Sequence, residues 1–129
     1  MSEEIEYLDL EDLMTAADVA IGRRPEVRDW GLLEAALARP KASVFGEDAY
    51  PGLNGKAAAL LHSLVTNHAL VDGNKRLGLV AVLFFYGMNG CDLTATEGER
   101  VELILAIADG RLSDVEKIAE RLAPWVTRL

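Results

Sequence analysis

The stretch His68-Ala69-Leu70-Val71-Asp72-Gly73-Asn74-Lys75-Arg76 separates two runs of helical periodicity, and the character of those runs decides the fold. Upstream, Lys56 to His68 carries Ala58, Leu61, Leu64, Val65 and His68 on one stripe, the spacing of an amphipathic helix that ends at the histidine. Downstream, Lys75 to Asn89 is apolar on nearly every face and is closed by Gly90. A helix that is apolar all round belongs at the centre of a bundle. Between the two, Val71-Asp72-Gly73-Asn74 has the residues of a tight turn.

The flanking sequence extends the same architecture. Leu10, Leu13, Met14, Ala17 and Ile21 recur at helical spacing, with Asp9 placed as an N-cap and Gly22 just past the end. A shorter helix follows Asp29, burying Trp30, Leu33, Ala36 and Leu37, and has stopped by Pro40. Lys41 to Gly55 holds three glycines, a proline and two aromatics, a composition for an exposed loop or short hairpin. Thr96 with Glu99 and Ser113 with Glu116 have capping-box spacing and announce two further helices. The last keeps Leu112, Val115, Ile118, Leu122, Val126 and Leu129 in register across Pro124, which kinks or shortens it. Strand character is confined to the loop after Pro40 and to Cys91–Thr94. The expectation is one all-α domain over residues 1–129, with about six helices and a short flap loop or hairpin. Trp30, Trp125, Phe84 and Phe85 are expected in the core, Cys91 as a small buried filler, and His62 without a role.

Composition narrows the function classes. The chain has 129 residues, 50% of them apolar, one cysteine and a net charge of −8. One cysteine cannot form an internal disulfide, and no basic-plus-apolar leader opens the chain, so the expected compartment is a reducing cytoplasm. The longest apolar run, Leu77 to Tyr86, is interrupted by Gly78 and is too short to span a bilayer. An acidic chain is repelled by nucleic-acid phosphates, so no direct nucleic-acid partner is expected. The charge is uneven, however: residues 1–18 contribute −7, whereas residues 39–76 are net +2. The basic centre of an acidic chain contains the stretch quoted first.

That stretch brings an imidazole, a carboxylate and two cations to one inter-helix turn. Backbone N–H groups at a helix start, where the macrodipole is positive, hold an anion such as a phosphate. Lys75 and Arg76 add charge, and a guanidinium grips two phosphate oxygens at once. Asp72 is a hard oxygen ligand of the kind Mg²⁺ uses when it is shared with nucleotide phosphates. His68 has the titration range of a general base. Together these are the parts of a phosphoryl-transfer site. Each group also has a plain structural reading: His68 as a packed residue, Asp72 as an N-cap, Asp72-Gly73 as a common turn pair. Lys75 and Arg76 fit such a reading least, because cations at a helix start oppose its dipole.

The nine residues resemble the signature loop of the Fic/Doc family, His-x-Phe-x-Asp/Glu-Gly/Ala-Asn-Gly/Lys-Arg, which lies between two central helices. Asn74-Lys75-Arg76 matches the Doc branch, where the Fic branch has Asn-Gly-Arg. Three further stretches are similar to Doc-like proteins: Gly31 to Pro40, Tyr50-Pro51 leading into Lys56–Ser63, and Phe84 to Gly90. The resemblance implies a Fic/Doc-like helical bundle in which Lys41–Gly55 is the flap that aligns the target segment. It implies that His68 deprotonates the target hydroxyl, that Asp72 ligates Mg²⁺, and that Gly73, Asn74, Lys75 and Arg76 hold ATP phosphates. For the Doc branch it implies a toxin that transfers the ATP γ-phosphate to elongation factor Tu and arrests translation, restrained by a Phd-like antitoxin. The alternatives are a Fic-type AMP transferase and a non-catalytic helical binding module. Ala69 and Leu70 stand where the family has proline and phenylalanine, an apolar-for-apolar change with a modest expected effect on the placement of His68. The inhibitory pattern Ser/Thr-x-x-x-Glu-Gly/Asn has no intact match; Ser43 to Asp48 comes nearest but contains Gly46 and ends on the wrong residue.

Overall fold

The structure, a computed structural model, describes residues 4–129. Asp9 opens helix α1 (Leu10–Ile21) with a reciprocal capping box: its carboxylate accepts the Asp12 N–H at 2.8 Å, and the Asp12 carboxylate accepts the Asp9 N–H at 3.0 Å. Gly22 closes that helix in the left-handed region. Asp29 caps α2 (Trp30–Ala38), which runs into a 3-10 turn at Arg39–Lys41. A minimal antiparallel hairpin follows, β1 (Ser43–Val44) with β2 (Glu47–Asp48), placing Ser43 opposite Asp48. Then come α3 (Leu53–Thr66), α4 (Asn74–Met88), β3 (Cys91–Leu93), α5 (Glu97–Ala108) and α6 (Val115–Leu122). A second 3-10 turn, Ala123–Trp125, leads to β4 (Val126–Arg128), antiparallel to β3.

The core is built on the pair predicted to be central. α4 packs against α3 on one side and α1 on the other, and α3 in turn meets α2, α5 and α6. Leu60, Leu61, Leu64, Leu77, Ala81, Val82, Phe85 and Tyr86 are buried between these elements, each large apolar side chain contributing about 1.5–3 kcal/mol. Gly78 sets the spacing: a Cβ there would lie 2.7 Å from Val65 Cγ2, so only glycine lets α4 approach α3 this closely. The Tyr86 hydroxyl donates to Asn54 Oδ1 at 2.8 Å, joining the two helices through a phenol whose pKa burial pushes up.

The all-α expectation holds, and both candidate strand regions form short ladders. Several details differ from the sequence reading. α3 begins at Leu53 rather than Lys56, because Gly52 serves as a bare N-cap and Gly55 is accommodated beside Tyr50. It ends at Thr66, two residues before His68. The second capping box does not form; Asp114 caps α6 instead, accepting the Glu116 N–H at 2.9 Å, since aspartate one residue later is an equally good acceptor. Pro124 ends the last helix, and Val126–Arg128 is strand rather than a continued helical stripe. Trp30 is 50% exposed at the first position of α2 and is not core; Trp125 and Phe84 are half-buried, and only Phe85 of the four aromatics is fully enclosed. Cys91 is buried, as expected. Among the described residues, no helix is long and apolar enough to cross a membrane.

Candidate active site

The α3–α4 loop is held from below by backbone and from above by one side chain. Ala69 and Leu70 are buried, Leu70 completely, so leucine fills the anchoring position where the family has phenylalanine. Leu70 bridges to Val27, the Ala69 carbonyl accepts the N–H groups of Arg28 and Asp29 at 2.8 and 3.1 Å, and the Val71 N–H donates to the Glu26 carbonyl at 3.0 Å. Asn74 then closes the loop on itself: its Oδ1 accepts the Leu70 N–H and its Nδ2 donates to the Leu70 carbonyl, both at 3.0 Å. The side chain of Asn74 is therefore engaged with the loop, and what it presents outward is its backbone N–H.

His68 is not part of the helix that leads to it. It lies beyond α3 with φ 55, one of two non-glycine residues with positive φ among the described residues. The chain must turn sharply there to bring Ala69 onto residues 26–29, and the residue just past a helix end is where the left-handed conformation does this. For a non-glycine residue it costs about 1 kcal/mol or more. The imidazole is exposed. Asp72 is also exposed, and its Oδ1 accepts the Gly73 N–H at 2.9 Å.

Gly73, with φ 93, is the N-cap of α4, and no side chain caps this helix start. A Cβ on Gly73 would meet Ile21 Cδ1 at 2.7 Å, so both backbone and space require glycine. The first intrahelical bond runs from the Leu77 N–H to the Gly73 carbonyl, so the N–H groups of Asn74, Lys75 and Arg76 precede the ladder. The first turn contains no acid, and Lys75 and Arg76 stand exposed on it. His68, Asp72, Gly73, Asn74, Lys75 and Arg76 all line one cleft of about 350 Å³, together with Val65, Val71 and Ala108. All six residues singled out in the sequence thus reach one cavity. Among the described residues there is no cluster of three or more acidic, His or Cys side chains able to enclose a metal. A lone exposed carboxylate beside an anion cradle instead fits Mg²⁺ shared with phosphates and water.

A second polar cluster was not anticipated. Arg39 Nε donates to the Tyr50 hydroxyl at 3.0 Å, while its Nη1 meets His62 Nδ1 at 2.8 Å and Ser63 Oγ at 3.0 Å. Lys56 is 2% exposed and bonds Asp48 Oδ2 at 3.0 Å and the Tyr50 carbonyl. Burial, and then the Arg39 charge, lower the His62 pKa from its ordinary value. The sequence offered only faint signals: His62 off the apolar stripe, and a lysine at the start of an otherwise apolar helix.

The chain is similar to known proteins over most of its length. The sequence pattern of the Fic/DOC family matches residues 7–86, from just before α1 to the last turn of α4. The toxin Doc of Mycolicibacterium smegmatis is 51% identical over 119 residues, covering 92% of this chain and 92% of that protein.

Proposed function

This chain belongs to the Fic/DOC family, and from that we propose that it is the toxin of a toxin–antitoxin module, a cytoplasmic phosphotransferase that moves the ATP γ-phosphate to a hydroxyl of elongation factor Tu. The observation that carries the reading is the start of α4: an uncapped helix end with Lys75 and Arg76 and no acid, opening into the same cleft as His68 and Asp72. A helix end with free N–H groups and two cations is a ready site for an anion.

In this reading the residues of the cleft divide the chemistry among them. The N–H groups of Asn74, Lys75 and Arg76 receive phosphate oxygens, the two side chains neutralise them, and Gly73 keeps the approach open. Asp72 offers its free oxygen to Mg²⁺, which supplies neutralisation of charge on the transferred phosphate when bound. His68 removes the proton from the acceptor hydroxyl as its oxygen bonds to the γ-phosphorus and the bond to the β-phosphate oxygen breaks, releasing ADP. Asn74 acts through the loop, fixing the turn from which its neighbours project. Lys75, in the place of the Fic branch's glycine, favours γ-phosphate over AMP transfer by occupying space at the anion cradle. A Phd-like antitoxin restrains the activity.

Incubation with elongation factor Tu, Mg²⁺ and ATP labelled at the α or the γ phosphate tests the reading, with His68→Ala as control. Label from γ alone, lost in the control, is the expected result. Label from α would replace the reading by AMP transfer. A folded protein that transfers neither label would be a binding module.

A further inference from the structure

We infer that Arg39 and Lys56 are positioning residues that lock the β1–β2 hairpin to α3 and thereby set how an acceptor segment meets His68; this rests on the phosphotransfer reading above. The hairpin cannot hold its own position. Each strand has two residues, all four exposed, and the tip carries Phe45 at full exposure with φ 52. A ladder this short is unstable in isolation.

What fixes it lies at Tyr50, on its return limb, which is gripped at both ends. Arg39 bonds the hydroxyl and stands 5.6 Å from the ring centre, while Lys56 bonds the carbonyl. Lys56 also takes Asp48 of β2, so both hydrogen-bond acceptors of this buried ammonium lie on the hairpin limb. Lifting the hairpin would leave that buried charge without either partner, a strongly unfavourable state. Arg39 extends the hold to α3 through His62 and Ser63. A guanidinium has no acceptor, so His62 Nδ1 accepts and the neutral ring carries its proton on Nε2.

An apolar contact would be as stabilising as these buried charges; what the charges add is directional geometry. They reference the hairpin to both ends of α3: Lys56 sits in its first turn, and Arg39 reaches His62, one turn before the helix ends at Thr66, with His68 just beyond. The hairpin and His68 thus share one support, and Val44 and Phe45 stand exposed on the hairpin.

Arg39→Gln, Arg39→Lys and Lys56→Met are compared with wild type by hydrogen exchange and by transfer kinetics on elongation factor Tu. In Arg39→Gln and Lys56→Met, the Ala49 amide, bonded to the Ala42 carbonyl at 2.8 Å, is expected to exchange at least about tenfold faster, with α4 amides unchanged. KM for the protein substrate should rise about tenfold or more, with kcat and KM for ATP within about twofold, and Arg39→Lys should recover part of the loss. Unaltered exchange at the hairpin, equal acceleration in α4, or a KM for ATP that rises in step would overturn the proposal. Wild-type protein that transfers no phosphate would overturn the preceding reading and the acceptor role with it, while the exchange data would still decide whether the two cations hold the hairpin.

Discussion

Helices α1 and α5 begin in one way and α4 in another. Asp9 with Asp12, and Thr96 with Glu99, form reciprocal capping boxes with acids in the first turn, so those helix starts are completed by their own sequence. At α1 and α5 the orphan N–H groups and the positive dipole end are served internally. At α4 the cap is a glycine without a side chain, the first turn carries Lys75 and Arg76, and the loop behind it is strained at His68. α3, with its bare Gly52, likewise starts without a side-chain cap, but α4 differs from it in carrying two exposed cations in its first turn and in opening into the cleft with His68 and Asp72. Consistent with the closed start of α5, the Glu99 carboxyl is held below its usual range by the Thr96 backbone N–H and hydroxyl.

The contrast makes opposite predictions for the two kinds of helix start. The largest effect is expected from His68→Ala, which should lower transfer by about 100- to 10,000-fold with little change in thermal midpoint, because the imidazole is exposed. His68→Gly should be equally inactive yet more stable by about 1 kcal/mol, since glycine carries no penalty at this φ. A thermal melt of the two variants separates the cost of the loop from the chemistry. Gly73→Ala should destabilise by about 1–2 kcal/mol through its positive φ and should also weaken ATP binding. Shortening Ile21 in the same chain relieves only the steric part, so unfolding of the double variant should recover incompletely.

Thr96→Ala removes a cap and should cost about 1 kcal/mol, a drop of about 3 °C in midpoint for a domain of this size, while transfer stays at the wild-type rate. Lys75→Ala should do the reverse: stability rises by about 0.3–0.5 kcal/mol as an unfavourable dipole contact is lost, and ATP affinity measured by calorimetry falls. If Lys75→Ala were destabilising, the distinction between the two classes of helix start would fail.

The smallest effect concerns pH and lies outside both. The His62 pKa is depressed below 6.5, so between that lowered value and about 6.5 the unfolded chain binds more protons than the folded one. Stability from this group is complete above 6.5 and declines as pH falls through the folded value. His62→Gln should flatten that part of a stability–pH curve measured by denaturant unfolding.

Much of the site was legible because it is local. His68 to Arg76 is one continuous segment, and a turn of Asp-Gly-Asn followed by two cations marks a helix start without an acid in its first turn whatever surrounds it. The capping boxes differ in outcome for an equally physical reason: Thr96 wins its site unopposed, whereas Ser113 loses to Asp114 one residue on. Trp30 was misplaced because apolar periodicity identifies a helix face and not the neighbour that covers it. The Arg39, Tyr50, Lys56 and His62 cluster joins residues as far as 23 positions apart, and no pattern in the chain marks polar residues as partners across such a distance.

The sequence by itself determined the helices and the chemical content of the cleft, since each depends on neighbours within a few residues and on the sign of a charge at a helix end. Only the tertiary structure decided that His68 leaves its helix in a strained turn, that Leu70 can anchor the loop, and that two cations fasten the hairpin to α3. Those features depend on which distant surfaces meet, and the energy that holds them comes from contacts the chain makes only once it is folded.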